Sequence, residues 1–344
     1  MRNFTKRAHK SLLALACAAA SGTVMAGSLN TEFGDIQLSG GVSGGYVYGD
    51  SEMTRQNDQS RTMDFILGID AATKDGRAEV SAGFGNLPAY VLMDHGIDEA
   101  GSGTDVLYSE VIVHPSDNWS LELGRVPSNV GFEDTIMFNN ANVMESVQAI
   151  AQPGFFNAAR LSYGNDDFTA YLEQGDEEFE APSGATNSQS WSGGVMGSTG
   201  GIEYAVGYQG YAGLRTLLDV IVSGNIAGMD ATVVIDRLKL EDAALASASD
   251  TNHAESVAIY LSGPSSGEFS FPIRIEAFND HGNGIYEGAG KGNSLTITPT
   301  WNISENAFLR SDISYLKTDN KIFNDKGTMK DSRMGIALQA GYRL

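Results

Sequence analysis

The stretch Arg333-Met334-Gly335-Ile336-Ala337-Leu338-Gln339-Ala340-Gly341-Tyr342-Arg343-Leu344 alternates with a period of two. Met334, Ile336, Leu338, Ala340, Tyr342 and Leu344 share one side; Arg333, Gly335, Ala337, Gln339, Gly341 and Arg343 share the other. A strand turns successive side chains to opposite faces, so this is a strand with one apolar and one small-or-polar face. The pattern recurs in Leu295, Ile297, Pro299, Trp301 and Ile303 against Thr296, Thr298, Thr300 and Asn302. It recurs again in Phe269, Phe271, Ile273, Ile275 and Ala277 against Ser270, Pro272, Arg274 and Glu276, and in Ala307, Leu309, Ile313 and Tyr315 against Arg310, Asp312 and Ser314. The period alone does not decide whether the apolar face covers a core or meets lipid.

Connection lengths decide more. Seven connections are short and rich in Gly, Asn, Asp and Ser: Thr73-Lys74-Asp75-Gly76, residues 114–117, Gly164-Asn165-Asp166, residues 198–201, 224–228 and 263–267, and Ser304-Glu305-Asn306. Such residues supply tight turns. Alternating with them are longer polar connections at 50–60, 87–103, 126–155, 174–188, 240–251, 279–291 and 318–331, with one short exception near Tyr211. Short turns at one end and long loops at the other is the arrangement of an outer-membrane barrel. The expectation is an all-β chain: a closed antiparallel transmembrane β-barrel of about 16 strands, with periplasmic turns and extracellular loops. An even strand number leaves no free edge, and roughly 16–18 strands enclose an aqueous channel.

Residues 1–26 read as a signal peptide. Arg2, Lys6, Arg7 and Lys10 form a basic start, residues 12–20 an apolar core too short to span a bilayer, and Val24-Met25-Ala26 a cleavage site. Residues 27–344 are then one barrel domain. A lipoprotein signal acylated at Cys17 is the rival reading, but the apolar run before it is only five residues and Ala14 and Leu15 fit that box poorly. Cys17 is the only cysteine, so the mature chain would have no disulfide. Removing the four leader cations leaves 18 Lys plus Arg against 43 Asp plus Glu, a net charge of −25. That excludes nucleic acid as a partner, since phosphate binding needs a basic surface. With 42% hydrophobic residues and 41 glycines, the chain is too polar for a helical membrane protein, whereas a barrel needs apolar residues on one face only.

A family resemblance lies in residues 121–178: Leu123-Gly124-Arg125-Val126-Pro127, Gly131-Phe132-Glu133, Asn139-Asn140, Gln152-Pro153-Gly154-Phe155-Phe156, then strand patterns over 158–163 and 168–173, and Gln174-Gly175. This run, about a sixth of the chain, resembles the OmpL-like β-barrel porin family of Gram-negative outer membranes. The resemblance implies a passive channel without cofactor. Barrels of this kind typically end in Phe or Trp, read by the barrel-assembly machinery; here Leu344 stands instead, with Tyr342 two residues earlier.

Residues 126–155 form the longest connection, at the third extracellular position, and long ordered loops are usually functional. The expectation is that it folds inward, as the third loop of diffusion porins does, and narrows the pore. Its carboxylates Glu133, Asp134 and Glu145 would then face the wall arginines Arg160, Arg274, Arg310, Arg333 and Arg343 across the constriction. Expected partners are outer-membrane lipid and lipopolysaccharide, the assembly machinery and small hydrophilic solutes, with a modest cation preference. Association into a homo-oligomer stays open.

Other motifs weigh less. Gly41-Val42-Ser43-Gly44-Gly45 matches a nucleophile elbow but sits in a strand pattern with no helix after it. Gly288-Ala289-Gly290-Lys291-Gly292-Asn293 lacks the first glycine and the Ser/Thr of a phosphate loop. His95, His114, His253 and His281 show no zinc spacing, and Asp280, Asn283 and Glu287 lack an EF-hand cadence, so no metal site is expected. Glu173, Asp176, Glu177, Glu178 and Glu180 read as a solvated acidic run. The rival functions are an outer-membrane barrel enzyme and a soluble exported all-β binding protein.

Overall fold

A computed structural model describes residues 27–31, 34–50, 59–87, 105–176, 179–180, 186–187, 189–241, 251–283, 286 and 288–344. The expected leader with Cys17, residues 51–58 of the first loop, 88–104 of the second and 242–250 of the sixth lie outside the described residues. Also outside them are His95, Glu177, Glu178 and Glu287.

Sixteen strands form the wall: β1 (Gly34–Gly49), β2 (Gln59–Thr73), β3 (Ala78–Asn86), β4 (Asp105–Ser116), β5 (Trp119–Pro127), β6 (Phe155–Gly164), β7 (Phe168–Gly175) and β8 (Ser190–Thr199). They continue as β9 (Ile202–Tyr211), β10 (Arg215–Ile226), β11 (Met229–Leu240), β12 (His253–Leu261), β13 (Ile273–Asn279), β14 (Lys291–Ile297), β15 (Ala307–Thr318) and β16 (Ser332–Arg343). Each pairs antiparallel with the next, and β16 returns to β1 with Gly41 opposite Arg343 and Gly49 opposite Gly335. The cylinder is closed, as the alternation of turns and loops predicts. Gly200 and Gly201, at φ 59° and 83°, make the two-residue turn between β8 and β9, a conformation open to glycine at no steric cost. Pro272 and Pro299 lack a ladder donor and interrupt the wall before β13 and after β14.

The faces fall as the alternation predicts. Met334, Ile336, Leu338 and Tyr342 are exposed, while Arg333, Ala337 and Gln339 are buried. Around the barrel Leu67, Leu123, Leu172, Ile235, Ile275 and Ile313 point outward, and Asp64, Glu122, Glu173, Asp236, Arg274 and Asp312 inward. An apolar belt of this extent would aggregate in water, whereas lipid accepts it, and a closed ladder leaves no backbone group unpaired in hydrocarbon. That inversion sets the soluble binding-protein reading aside. Aromatic pairs mark the turn end, with Trp119 against Tyr163 at 5.1 Å and Phe269 against Trp301 at 6.1 Å between ring centroids. Exposed Tyr48, Trp191, Tyr208 and Tyr315 mark the loop end. Interfacial aromatics at both heights are the girdles of an outer-membrane barrel.

Candidate functional site

The third loop, residues 128–154 between β5 and β6, folds into the lumen. It carries two short 3-10 turns, Met137–Asn139 and Gln148–Ala151. For a loop it is rich in apolar residues, and these drive it inward: Val130, Phe132, Met137, Phe138, Val143, Ala149 and Ala151 are all buried. Met137 and Phe138 pack with Ile66, Leu107, Phe155 and Phe308. Phe132 lies 4.5 Å from the Tyr260 ring, and Val143 packs on Val47 and Ala337. Val130 and Ala151 join an apolar cluster with Leu217, Leu238, Phe278 and Tyr286, the last from the seventh loop. Burying a large apolar side chain is worth ~1.5–3 kcal/mol, so these contacts can outweigh much of the ordering cost.

An irregular segment inside a barrel must also satisfy its backbone. Wall side chains do this on every side. Carboxylates accept from the loop: Asp219 from Gly131 N (3.0 Å), Asp312 from Val143 N and Met144 N (2.9 and 2.8 Å), and Glu276 from Val147 N (2.7 Å). Asp236 accepts from the Gln152 side-chain amide at 2.9 Å. Arginines donate to it: Arg274 to Met144 O and Glu145 O (2.7 and 2.9 Å), Arg310 to Met137 O (2.9 Å) and to Asn140 O, and Arg343 to Phe138 O (2.8 Å).

The expected opposition of loop carboxylates and wall arginines therefore takes a different form. Glu133 meets one of those arginines directly, through Arg274 Nη1 at 2.8 Å; it also accepts from Tyr260 Oη and Ser146 N. Asp134 turns back into the loop, accepting from Ile136 N and Asn139 Nδ2 at 2.8 Å each. Glu145 contributes its main-chain carbonyl to Arg274. Arg160 serves the wall and the loop's root: it donates to Glu173 (2.6 Å), Glu122 (2.8 Å) and Pro127 O (2.6 Å). Arg333 is buried on the inward face of β16, beside Gly49.

One expectation needs correction. Glu173 does not belong to a solvated run without a cation: its strand turns it inward, where Arg160 and the Ser192 hydroxyl hold it. Ser43 lies in mid-strand, bonded to Asp64 and accepting from Gln339 Nε2 at 2.7 Å, so the elbow pattern has no elbow. Lys291 opens strand β14 where a phosphate loop would need a helix.

Sequence reasoning missed the wall carboxylates Asp219, Asp236, Glu276 and Asp312 as loop anchors. The signal was present, because each occupies an inward position in its strand's alternation. Beneath the loop tip, toward the turns, lies a chamber lined by Asn142, Asp230, Thr232, Tyr260, Arg310 and Arg343, among others.

The family model described as “beta-barrel porin-2, OmpL-like” matches residues 35–344, far beyond the segment that carries the resemblance. No curated protein matches the chain in sequence. Among solved structures, an anion-selective porin from Comamonas acidovorans is similar with a TM-score of 0.62 and 14% identity, covering 90% of this chain and 99% of that one. OmpF of Salmonella typhi in complex with daunomycin aligns at TM-score 0.64 and 8% identity, covering 92% and 100%. Outer-membrane-expressed OmpT of Vibrio cholerae aligns at 0.59 and 11%, also covering 92% and 100%. At such identities the likeness concerns the fold.

Proposed function

Because the chain belongs to the OmpL-like β-barrel porin-2 family, we propose that it conducts small hydrophilic solutes and ions by passive diffusion across the outer membrane, with the third loop as the constriction. The observation that carries this reading is the third loop's position. It crosses the lumen, bonded to inward side chains of β10, β11, β13, β15 and β16, and roofs the chamber beneath it. The exterior belt meets lipid, and lipopolysaccharide surrounds the loop end. The proposed pore works without a cofactor, and its closing strand is what the assembly machinery would recognise.

A modest cation preference follows from the charge inside. Among the described buried wall residues, Asp64, Glu122, Glu173, Asp219, Asp236, Glu276 and Asp312 outnumber Arg160, Arg215, Arg274, Arg310 and Arg333. Charge lining a confined pore is screened less than charge on an open surface and sets ion preference. The test is the purified protein in a planar bilayer under a salt gradient. Steady conductance with a cation-directed reversal potential, strongest at low ionic strength, is expected. An anion-directed potential would refute the charge argument, and absence of conductance the channel itself.

A further inference from the structure

His253 and His281, isolated when judged by spacing, are neighbours in the fold. The register of β12 on β13 pairs Leu261 with Ile273 and Glu255 with Asn279. Two steps further along the same register, His253 falls opposite His281, and their rings lie 4.4 Å apart. Glu255 alternates with buried Ala254 and Ser256, which puts it and His253 on the barrel's outward face at the loop end. We propose that His253, Glu255 and His281 bind a divalent transition-metal ion of the zinc class there, bridging β12 and the seventh loop.

Three features support this. The ligand atoms all lie within 4.8 Å of one another, and His281 Nε2 is 3.4 Å from Glu255 Oε1. Tetrahedral zinc with bonds of ~2.0–2.1 Å needs its ligands about 3.3 Å apart, so small side-chain rotations close the site. Two imidazoles and a carboxylate are a borderline donor set, suited to zinc rather than calcium, and solvent exposure leaves a fourth position for water.

The histidine is also positioned in advance. His281 adopts φ 49°, unusual outside glycine, in a turn built around it. Asn279 Oδ1 accepts from His281 N (3.0 Å), Asp280 Oδ1 from Gly282 N (2.8 Å), and His253 O from Asn283 Nδ2 (2.8 Å). The Asn279 amide lies against His281 Nδ1 at 3.4 Å, which leaves Nε2 facing Glu255. Arg237 and Lys239, opposite Glu255 and His253 on β11, work against a dication, and Glu241, 3.8 Å from Lys239, partly offsets them.

The purified barrel in detergent is titrated with Zn²⁺ by calorimetry and with Co²⁺ by visible absorption. One Zn²⁺ per barrel is expected, with a Co²⁺ spectrum of nitrogen and oxygen ligation. Losing even an outer-shell partner costs ~10–100-fold in metal affinity, so His253→Ala and His281→Ala should each weaken binding at least about ten-fold. Glu255→Gln should weaken it less. His114→Ala, at the turn end where His114 pairs with Glu79 at 2.9 Å, should leave binding unchanged. Heat-modifiable migration confirms that each variant is folded. No uptake by the wild type up to about 1 mM, the weak limit of extracellular cation sites, overturns the proposal. So does wild-type affinity in both histidine variants.

Discussion

Replacing Arg274 by Ala tests what holds the third loop in place. Its guanidinium reaches Glu133 Oε1 at 2.8 Å, Met144 O at 2.7 Å and Glu145 O at 2.9 Å, and lies 3.1 Å from Glu276 Oε2. Hydrogen bonds to a charged group contribute ~1.5–3 kcal/mol each, so the three to the loop bound the loss at roughly 4–9 kcal/mol. Water entering the vacated space would resolvate the orphaned acceptors and reduce this. The better guide is the cost of breaking a buried ion pair by deleting one partner, ~3–5 kcal/mol. At about 1.4 kcal/mol per factor of ten, the ratio of released to docked loop should rise by roughly 10² to a few times 10³. The other anchors are untouched, so the loop should sample release rather than leave the lumen.

The assay is single-channel recording in a planar bilayer. Arg274→Ala should show larger mean conductance and frequent transitions to a high-conductance level. Arg274→Lys keeps the charge but loses the planar fork, and should fall between variant and wild type. Glu133→Gln removes the ion pair but spares both carbonyl bonds, so its effect should be smaller than that of Arg274→Ala. If Arg274→Ala inserts normally and conducts like the wild type without added noise, these bonds do not set the pore's width.

Phe138→Ala removes a buried ring of the loop tip, at a cost of ~3–5 kcal/mol, and should raise conductance while leaving heat-modifiability intact. Gly41→Val should weaken the closing seam between β1 and β16. A side-chain carbon there would stand 2.7 Å from Tyr342 O and 2.9 Å from Phe138 Cζ, so the variant should unfold at a lower temperature on gels. Tyr342→Asp places a charge on the lipid face at the turn end; a lipid-facing charge costs up to ~2–4 kcal/mol at midplane for Arg or Lys, and less for acids and near the interface. Reduced insertion measured in membrane fractions is expected, and normal insertion would mean the strand's faces do not matter to assembly.

Strand faces were legible because one constraint acts on them alone. Every lipid-facing position must be apolar, so Met334, Ile336 and Leu338 declare their side whatever the lumen holds. Connection lengths were legible for a similar reason, since tight turns demand particular residues wherever they occur. The destination of the third loop was harder to read. Its anchors are largely main-chain groups, such as Val143 N on Asp312 or Phe138 O on Arg343, and a main-chain group carries no residue identity. Weighing the loop by Glu133, Asp134 and Glu145 directed attention to charge, yet Asp134 accepts from the loop's own Ile136 N and Asn139 Nδ2, and Glu145 offers Arg274 its main-chain carbonyl. The informative residues were Val130, Phe132, Met137, Phe138 and Val143, because a loop this apolar has no reason to face water.

The wall carboxylates teach the complementary point. An inward Asp or Glu on a barrel strand reads as half of an alternation, and that reading does not distinguish solvation from pairing. What distinguishes them is the partner's geometry, set by strands far away in sequence: Asp312 meets Val143 and Met144 only because β15 stands where the loop passes. His253 and His281 follow the same rule on the outer face. Spacing along the chain separates them, and antiparallel register, extended two residues past Glu255 and Asn279, makes them neighbours. In a barrel with short turns the register of consecutive strands can be approximated from sequence. Cross-strand pairs of ligating residues are therefore a more productive search than motifs of fixed spacing.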